Sequence, residues 1–243
     1  MILPDPYYSE NGITIYHGDC REILPHLEPV DLVLTDPPYG INLQPPRGLT
    51  RAIKGDERRD AKSLLWFTMP YLYAMVPDNS AHFFFAGWSE TWVKDVLAEW
   101  FTVKSCIVWR KNMFGIGYHV RPQHEFIYLI HKGEPVPPEK PCSDIWEADK
   151  IQAPEHSCEK PTPLLERCIT YYGAQKTILD PFMGSGTTLV AARDLGRRAI
   201  GVEIERKYCD IAIERLRQRA LPLSVEERPA HAEQEGLYGT SAK

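Results

Sequence analysis

Apolar residues along this chain fall into short runs that read as buried strands, separated by longer stretches of approximately helical spacing. Strands are predicted at Ile13 to Tyr16, Val30 to Thr35, Ala81 to Phe85, Lys104 to Trp109, Arg121 to Lys132, 177–180 and Arg198 to Val202. Helices are predicted at Arg21 to Leu27, Ala61 to Met75, Ser89 to Trp100, Leu164 to Tyr172, Thr187 to Leu195 and Arg206 to Leu221. Ser89 suits the N-cap of its helix, and Thr162 with Pro163 suits the N-cap and first turn of another. The remaining stretches lack periodicity. Residues 1–12 read as an irregular arm, Ile41 to Asp60 as a mobile polar loop, and the proline-rich segment Gly133 to Glu155 as a long surface connection. The alternation of strands and helices is that of an α/β domain.

Two strand ends carry candidate chemistry. The run Val30 to Thr35 passes directly into Asp36-Pro37-Pro38-Tyr39-Gly40, and two prolines, each lacking an N–H, stop the strand there. A carboxylate, the Pro37 carbonyl and an aromatic ring are thus presented together at the carboxyl edge of a sheet, where open α/β folds bind ligands. That set suits a planar amine: Asp36 and the Pro37 carbonyl each accept one N–H, while Tyr39 stacks on the ring. Asp-Pro-Pro is also an ordinary turn sequence. The second strand end is Ile178 to Thr188, reading ILDPFMGSGTT, where Asp180 leads into a glycine-rich loop opening a helix. A phosphate-binding P-loop needs a lysine that is missing beside Gly186, and Leu189 stands where a dinucleotide fingerprint needs its third glycine. The loop N–H groups at the helix start fit a carboxylate. Glu203 closes the strand that follows, a position from which an acid accepts both hydroxyls of a ribose. Asp19 stands at another strand end and suits the cap of the helix after it.

With both motifs quoted, the chain resembles the S-adenosylmethionine-dependent amino methyltransferases of DNA, whose signatures are DPPY and DPFxGSGTT. The resemblance covers roughly Tyr16 to Leu216, with the catalytic motif before the cofactor loop, as in the β-class arrangement. It implies one Rossmann-like methyltransferase domain over residues 1–221: a mostly parallel twisted sheet with helices on both faces, circularly permuted, and with the 31–35 and 177–180 strands adjacent. It implies S-adenosylmethionine as cofactor, with Asp36, Pro37, Pro38 and Tyr39 as the catalytic segment. Asp19, Asp36, Lys160, Thr162, Asp180, Phe182, Gly184, Ser185, Gly186, Thr187, Thr188 and Glu203 become the cofactor-binding set: Asp19 beside the adenine amino group, and Lys160 to Thr162 against the methionine portion. Asp in the first motif position resembles the adenine-N6 enzymes, whereas cytosine-N4 enzymes more often carry Ser. RNA and protein amino methyltransferases generally resemble N-P-P-Y instead. A non-catalytic DNA-binding module would not need both loops intact.

Composition changes the picture only locally. A net charge of −5 does not mark a nucleic-acid binder, but residues 47–62 carry a net +3 and residues 104–132 a net +4. Arg47, Arg51, Lys54, Arg110, Lys111 and Arg121 are therefore the expected contacts to double-stranded DNA, the loops 41–60 and 133–155 facing it. Trp109, Phe114 and Tyr118 suit packing more than base stacking. His124 and Glu125 have no partner fixed by spacing and read as structural or DNA-adjacent. The six cysteines are scattered, as for reduced thiols, and Cys142, His156 and Cys158 make a poor metal set, so no metal is expected. The N-terminus lacks the features of a signal peptide and no apolar run approaches bilayer length, so a cytoplasmic protein of a prokaryote or phage is expected. The tail from Pro222 is polar and is expected to be disordered. A homodimer and a partner restriction endonuclease remain open.

Overall fold

A computed structural model describes residues 3–39, 58–115, 119–149, 159–172 and 177–218. Among the described residues nine strands form one sheet: β1 (Tyr8–Glu10), β2 (Ile13–His17), β3 (Leu32–Thr35), β4 (Ser80–Ala86), β5 (Thr102–Arg110), β6 (His124–Lys132), β7 (Ile145–Glu147), β8 (Thr177–Asp180) and β9 (Arg198–Glu203). Their order across the sheet is β1-β2-β9-β8-β3-β4-β6-β5-β7. The central run from β2 to β4 is parallel, while β1 and β6 run against their neighbours. As the resemblance implied, β3 and β8 are adjacent, with Leu32 opposite Ile178.

Helices cover both faces, because the central strands are mostly apolar and their side chains alternate between the two faces. Leu32, Leu34, Phe83 and Phe85 enter one cluster with residues of α4 (Thr162–Tyr171), α5 (Thr187–Asp194) and α6 (Arg206–Arg217). Val33, Phe84 and Ala86 enter the other, with α1 (Cys20–Ile23), α2 (Arg58–Met75) and α3 (Trp92–Ala98). One polar group inside β4 is resolved within the sheet itself: His82 accepts the Val33 N–H on Nδ1 at 3.1 Å and meets Ser80 Oγ through Nε2 at 2.8 Å. Burial pushes its imidazole down to about 3, so it stays neutral.

Several expectations are corrected. The arm holds a strand, because Tyr8 turns into the core and pairs opposite Ile15. The 133–155 connection holds β7, which lies parallel to β5 and buries Trp146 completely; three residues are too few for a periodic signal. Helix α2 begins at Arg58, inside the stretch read as loop. Helix α3 begins at Trp92, with Thr91 in the cap position; Ser89 Oγ donates to Glu90 rather than capping. Thr162 is the first residue of α4, not its cap, because Pro161 holds the extended cap conformation. The loop 41–57 and the tail from 222 lie outside the described residues.

Candidate active site

The parallel strands end along one edge, and a cavity of about 490 Å³ opens there between β2, β9, β8 and β3. Asp36, Pro37, Pro38 and Tyr39 leave the end of β3 and line it, as do Asp180, Phe182, Gly184, Ser185, Thr187 and Thr188 from the end of β8 and the start of α5. Asp19 and Glu203 reach it from the ends of β2 and β9. Because β6 is antiparallel, its first residues arrive at the same edge, and they bring in Glu125.

The glycine-rich loop is held from three sides. Asp180 accepts from Thr35 Oγ1 at 2.7 Å, Thr188 Oγ1 at 2.6 Å and the Phe182 N–H at 3.2 Å, tying the end of β3 to α5. Burial nevertheless pushes its carboxyl up to about 6. Glu203 accepts the Gly184 N–H at 3.0 Å and the Glu205 N–H at 2.8 Å, and burial lifts it to about 7 against those bonds. Arg215, from the last turn of α6, donates to Ser185 O, Ser185 Oγ and Thr187 Oγ1 at 2.9 to 3.1 Å and pairs with Glu159 at 2.6 Å. Gly186 sits at φ 79°, where a Cβ would lie 2.6 Å from the Cβ of Ala212, so only glycine lets α6 approach.

Around Asp36 the charges alternate. Tyr39 donates its hydroxyl to Oδ1, and the Lys160 ammonium pairs with Oδ2. Lys160 is also 3.4 Å from Glu125 Oε2, and Lys111 pairs with Glu125 Oε1. Burial raises the Asp36 carboxyl above the ordinary carboxylate range; Lys160 opposes that shift and Glu125 adds to it. Burial acts on Glu125 in the same sense, but Lys160 and Lys111 outweigh it and hold that carboxyl below the ordinary range. The Lys160 ammonium further lies 5.7 Å from the Tyr39 ring centre and 5.4 Å from that of Phe85.

Residues 30–214 match the DNA methylase family model N6_N4_Mtase. The chain belongs to this family of DNA methylases. It is similar to YubD of Escherichia coli (strain K12), described as a methylase, with 32% identity over 84% of this chain and 91% of that one. It is likewise similar to YhdJ of the same organism, a DNA adenine methyltransferase, with 26% identity over 86% of this chain and 84% of that one. Among solved structures, the M1.HpyAVI–SAM complex superposes with a TM-score of 0.65 at 27% identity, covering 84% of this chain and 99% of that one.

In this DNA methylase the geometry gathers most of the expected site and redirects part of it. Thr162 and Gly186 do not line the cavity: the first opens α4 and the second packs on α6. Asp19 does cap α1, accepting the Arg21 N–H at 2.9 Å, and both its oxygens engage the Arg21 guanidinium. Lys160 lines the cavity, but its ammonium is directed at Asp36 and Glu125. Of the DNA contacts expected, Lys111 pairs with Glu125 and its side chain is 14% exposed. Arg110 is exposed and pairs with Glu147, and Arg121 donates to Gly115 O at 2.9 Å with its guanidinium 5.8 Å from the Phe114 ring centre. Trp109 is core, and Phe114 is exposed. Arg47, Arg51, Lys54 and Tyr118 lie outside the described residues. Glu125, Arg215 and Thr35 are the site residues that sequence reasoning missed. Each meets its partners through the fold, across 14 to 145 positions of chain, so no local spacing points to it.

No helix among the described residues is long and apolar enough to cross a membrane.

Proposed function

We propose that this DNA methylase transfers a methyl group from S-adenosylmethionine to the exocyclic N6 of adenine in DNA. The observation that carries the reading is that the Asp36 carboxylate and the Tyr39 ring line the same cavity as the Gly184 loop and Glu203. The cavity suits the cofactor by its chemistry. Carboxylates of Glu203 and Asp19 stand at the end of β9 and β2, hydroxyls and N–H groups of Ser185 and Thr187 at the start of α5, and the apolar side chains of Phe182, Val202 and Ile204 also line the wall. Glu203 would accept the ribose hydroxyls, Asp19 would lie beside the adenine, and the loop at the start of α5 would hold the methionine carboxylate. When bound, S-adenosylmethionine supplies a methyl group activated by its sulfonium charge. Asp in the first position of the motif favours adenine, and the similarity to YhdJ, a DNA adenine methyltransferase, points the same way.

A target amine is buried in a duplex, so the base is turned out to reach the cavity. Tyr39 stacks on it. Asp36 and the Pro37 carbonyl then accept the two amine hydrogens, which draws the nitrogen lone pair out of conjugation and aims it at the methyl group. Because Tyr39 Oη and Lys160 Nζ hold both Asp36 oxygens in the structure, the incoming amine replaces the Tyr39 hydroxyl at Oδ1. Catalysis comes from positioning and fixed electrostatics. The proton leaves after transfer, so Asp36 serves as an acceptor and not as a strong base.

The division of labour is tested with Asp36→Ala. Turnover on DNA is expected to fall at least about a thousandfold, while the dissociation constant for S-adenosylmethionine, read by calorimetry, changes by less than about threefold. Loss of cofactor binding with turnover per bound enzyme preserved would refute the assignment.

A further inference from the structure

The chain of charges behind Asp36 contains a carboxylate to which the reaction as described gives no task. Glu125 is at the start of β6, and its Oε2 is buried with no hydrogen-bond partner among the described residues; it faces the Lys160 ammonium at 3.4 Å. A buried carboxylate left this way costs stability unless a charge compensates it, and Lys160 is that charge. The same ammonium serves Asp36 Oδ2. One cation is therefore divided between two carboxylates, and only one of them, Asp36, has the Tyr39 hydroxyl on its other oxygen.

We propose that Glu125 is a positioning residue, which draws part of the Lys160 ammonium away from Asp36 and so sets how strongly the Asp36 carboxylate accepts the target amine. The inference rests on Asp36 being the acceptor. An isolated Lys160–Asp36 pair at this depth would be a tight ion pair, with its oxygen committed to the ammonium and weakened toward a neutral amine. Removing the ammonium has the opposite consequence: buried Asp36 then takes up a proton and offers a poorer acceptor near neutral pH. Glu125 keeps Asp36 between those limits, and Lys111, paired on its far oxygen, keeps Glu125 ionised. Tyr39 on its own loop donates to this acceptor, Asp180 at the end of β8 repels it, and Asp19, Arg21, Asp60, Glu159, Glu203, Glu205 and Tyr208 line the same cavity.

The test is the pH dependence of the single-turnover methyl-transfer rate at saturating S-adenosylmethionine and DNA, so that cofactor binding does not enter, for wild type, Glu125→Gln and Lys160→Gln. In Glu125→Gln the rate is expected to fall about tenfold, and its acid limb to move down by roughly one pH unit as Lys160 closes on Asp36. In Lys160→Gln the acid limb is expected to move up by a similar amount. Opposite displacements are the result a merely structural role for Glu125 would not produce. An unmoved limb in folded Glu125→Gln, or displacement of both variants in one direction, would overturn the inference. Should Glu125→Gln not fold, as judged by thermal unfolding, Glu125→Asp takes its place: its shorter side chain withdraws the carboxylate from Lys160 and is expected to move the acid limb down by a smaller amount, and an unmoved limb there overturns the inference. Methyl transfer by wild type with an unmoved limb in folded Glu125→Gln sinks only this inference; no methyl transfer by wild type sinks the functional reading and this inference with it.

Discussion

Glu203 is an acid held by backbone. Two N–H groups hold its carboxylate, yet burial raises it to about 7, so the apo protein carries this side chain partly protonated at neutral pH. A protonated carboxyl offers one fewer acceptor for the two ribose hydroxyls it is proposed to bind. The sign for binding follows: affinity for S-adenosylmethionine should weaken as pH falls from 8 to 6, with most of the change around 7. The sign for folding is opposite, since a carboxyl raised in the folded state takes up its proton there first, and apo stability attributable to Glu203 grows as pH drops through that same window. Calorimetric titrations across this range check the first, and Glu203→Gln should flatten the binding profile; a profile equally steep in that variant contradicts the role. Asp180 differs from Asp36 in that its three hydrogen bonds join β3 to α5, whereas Asp36 is the acceptor proposed for the amine.

At the scale of elements, the glycine-rich loop proposed to hold the methionine end depends on α6, a helix much later in the chain. Arg215 in α6 holds Ser185 and Thr187 and neutralises Glu159, a carboxylate that is almost fully buried. Arg215→Ala is expected to cost about 2–4 kcal/mol in chemical denaturation and to weaken S-adenosylmethionine binding by about tenfold or more; Arg215→Lys, which keeps charge but not the fork, should recover only part of either. Strand ends and their motifs were legible in the sequence because they are local: an apolar run stopped by Asp-Pro carries its chemistry within a few residues. The alternating helices and strands, and the adjacency of β3 and β8, were legible too. What depends on sheet order was not. Glu125 lay in plain view as a polar residue near the start of a strand, but its partners are at positions 111 and 160, brought together because β6 runs antiparallel between β4 and β5. The Lys111–Glu125 pair was not legible for the same reason, a basic residue after a strand being as consistent with a DNA face as with an inward pair. The three-residue strands β1 and β7 carry no periodicity of their own and form only because a neighbour offers an edge.

Over the whole molecule, the sheet brings a carboxylate acceptor, an aromatic ring and a cavity of cofactor chemistry to one edge, with two faces of apolar packing behind them to hold their spacing. That arrangement is a machine for methylating an amine on a planar base, and the DNA methylase family to which the chain belongs acts on DNA. The most direct measurement is mass spectrometry of nucleosides from unmethylated DNA of mixed sequence incubated with the purified protein and S-adenosylmethionine, beside Asp36→Ala. The account predicts N6-methyladenine that disappears in the variant. Methylation at N4 of cytosine would keep the acceptor mechanism and contradict the base assigned to it, and no modified base in DNA would contradict the account at its centre.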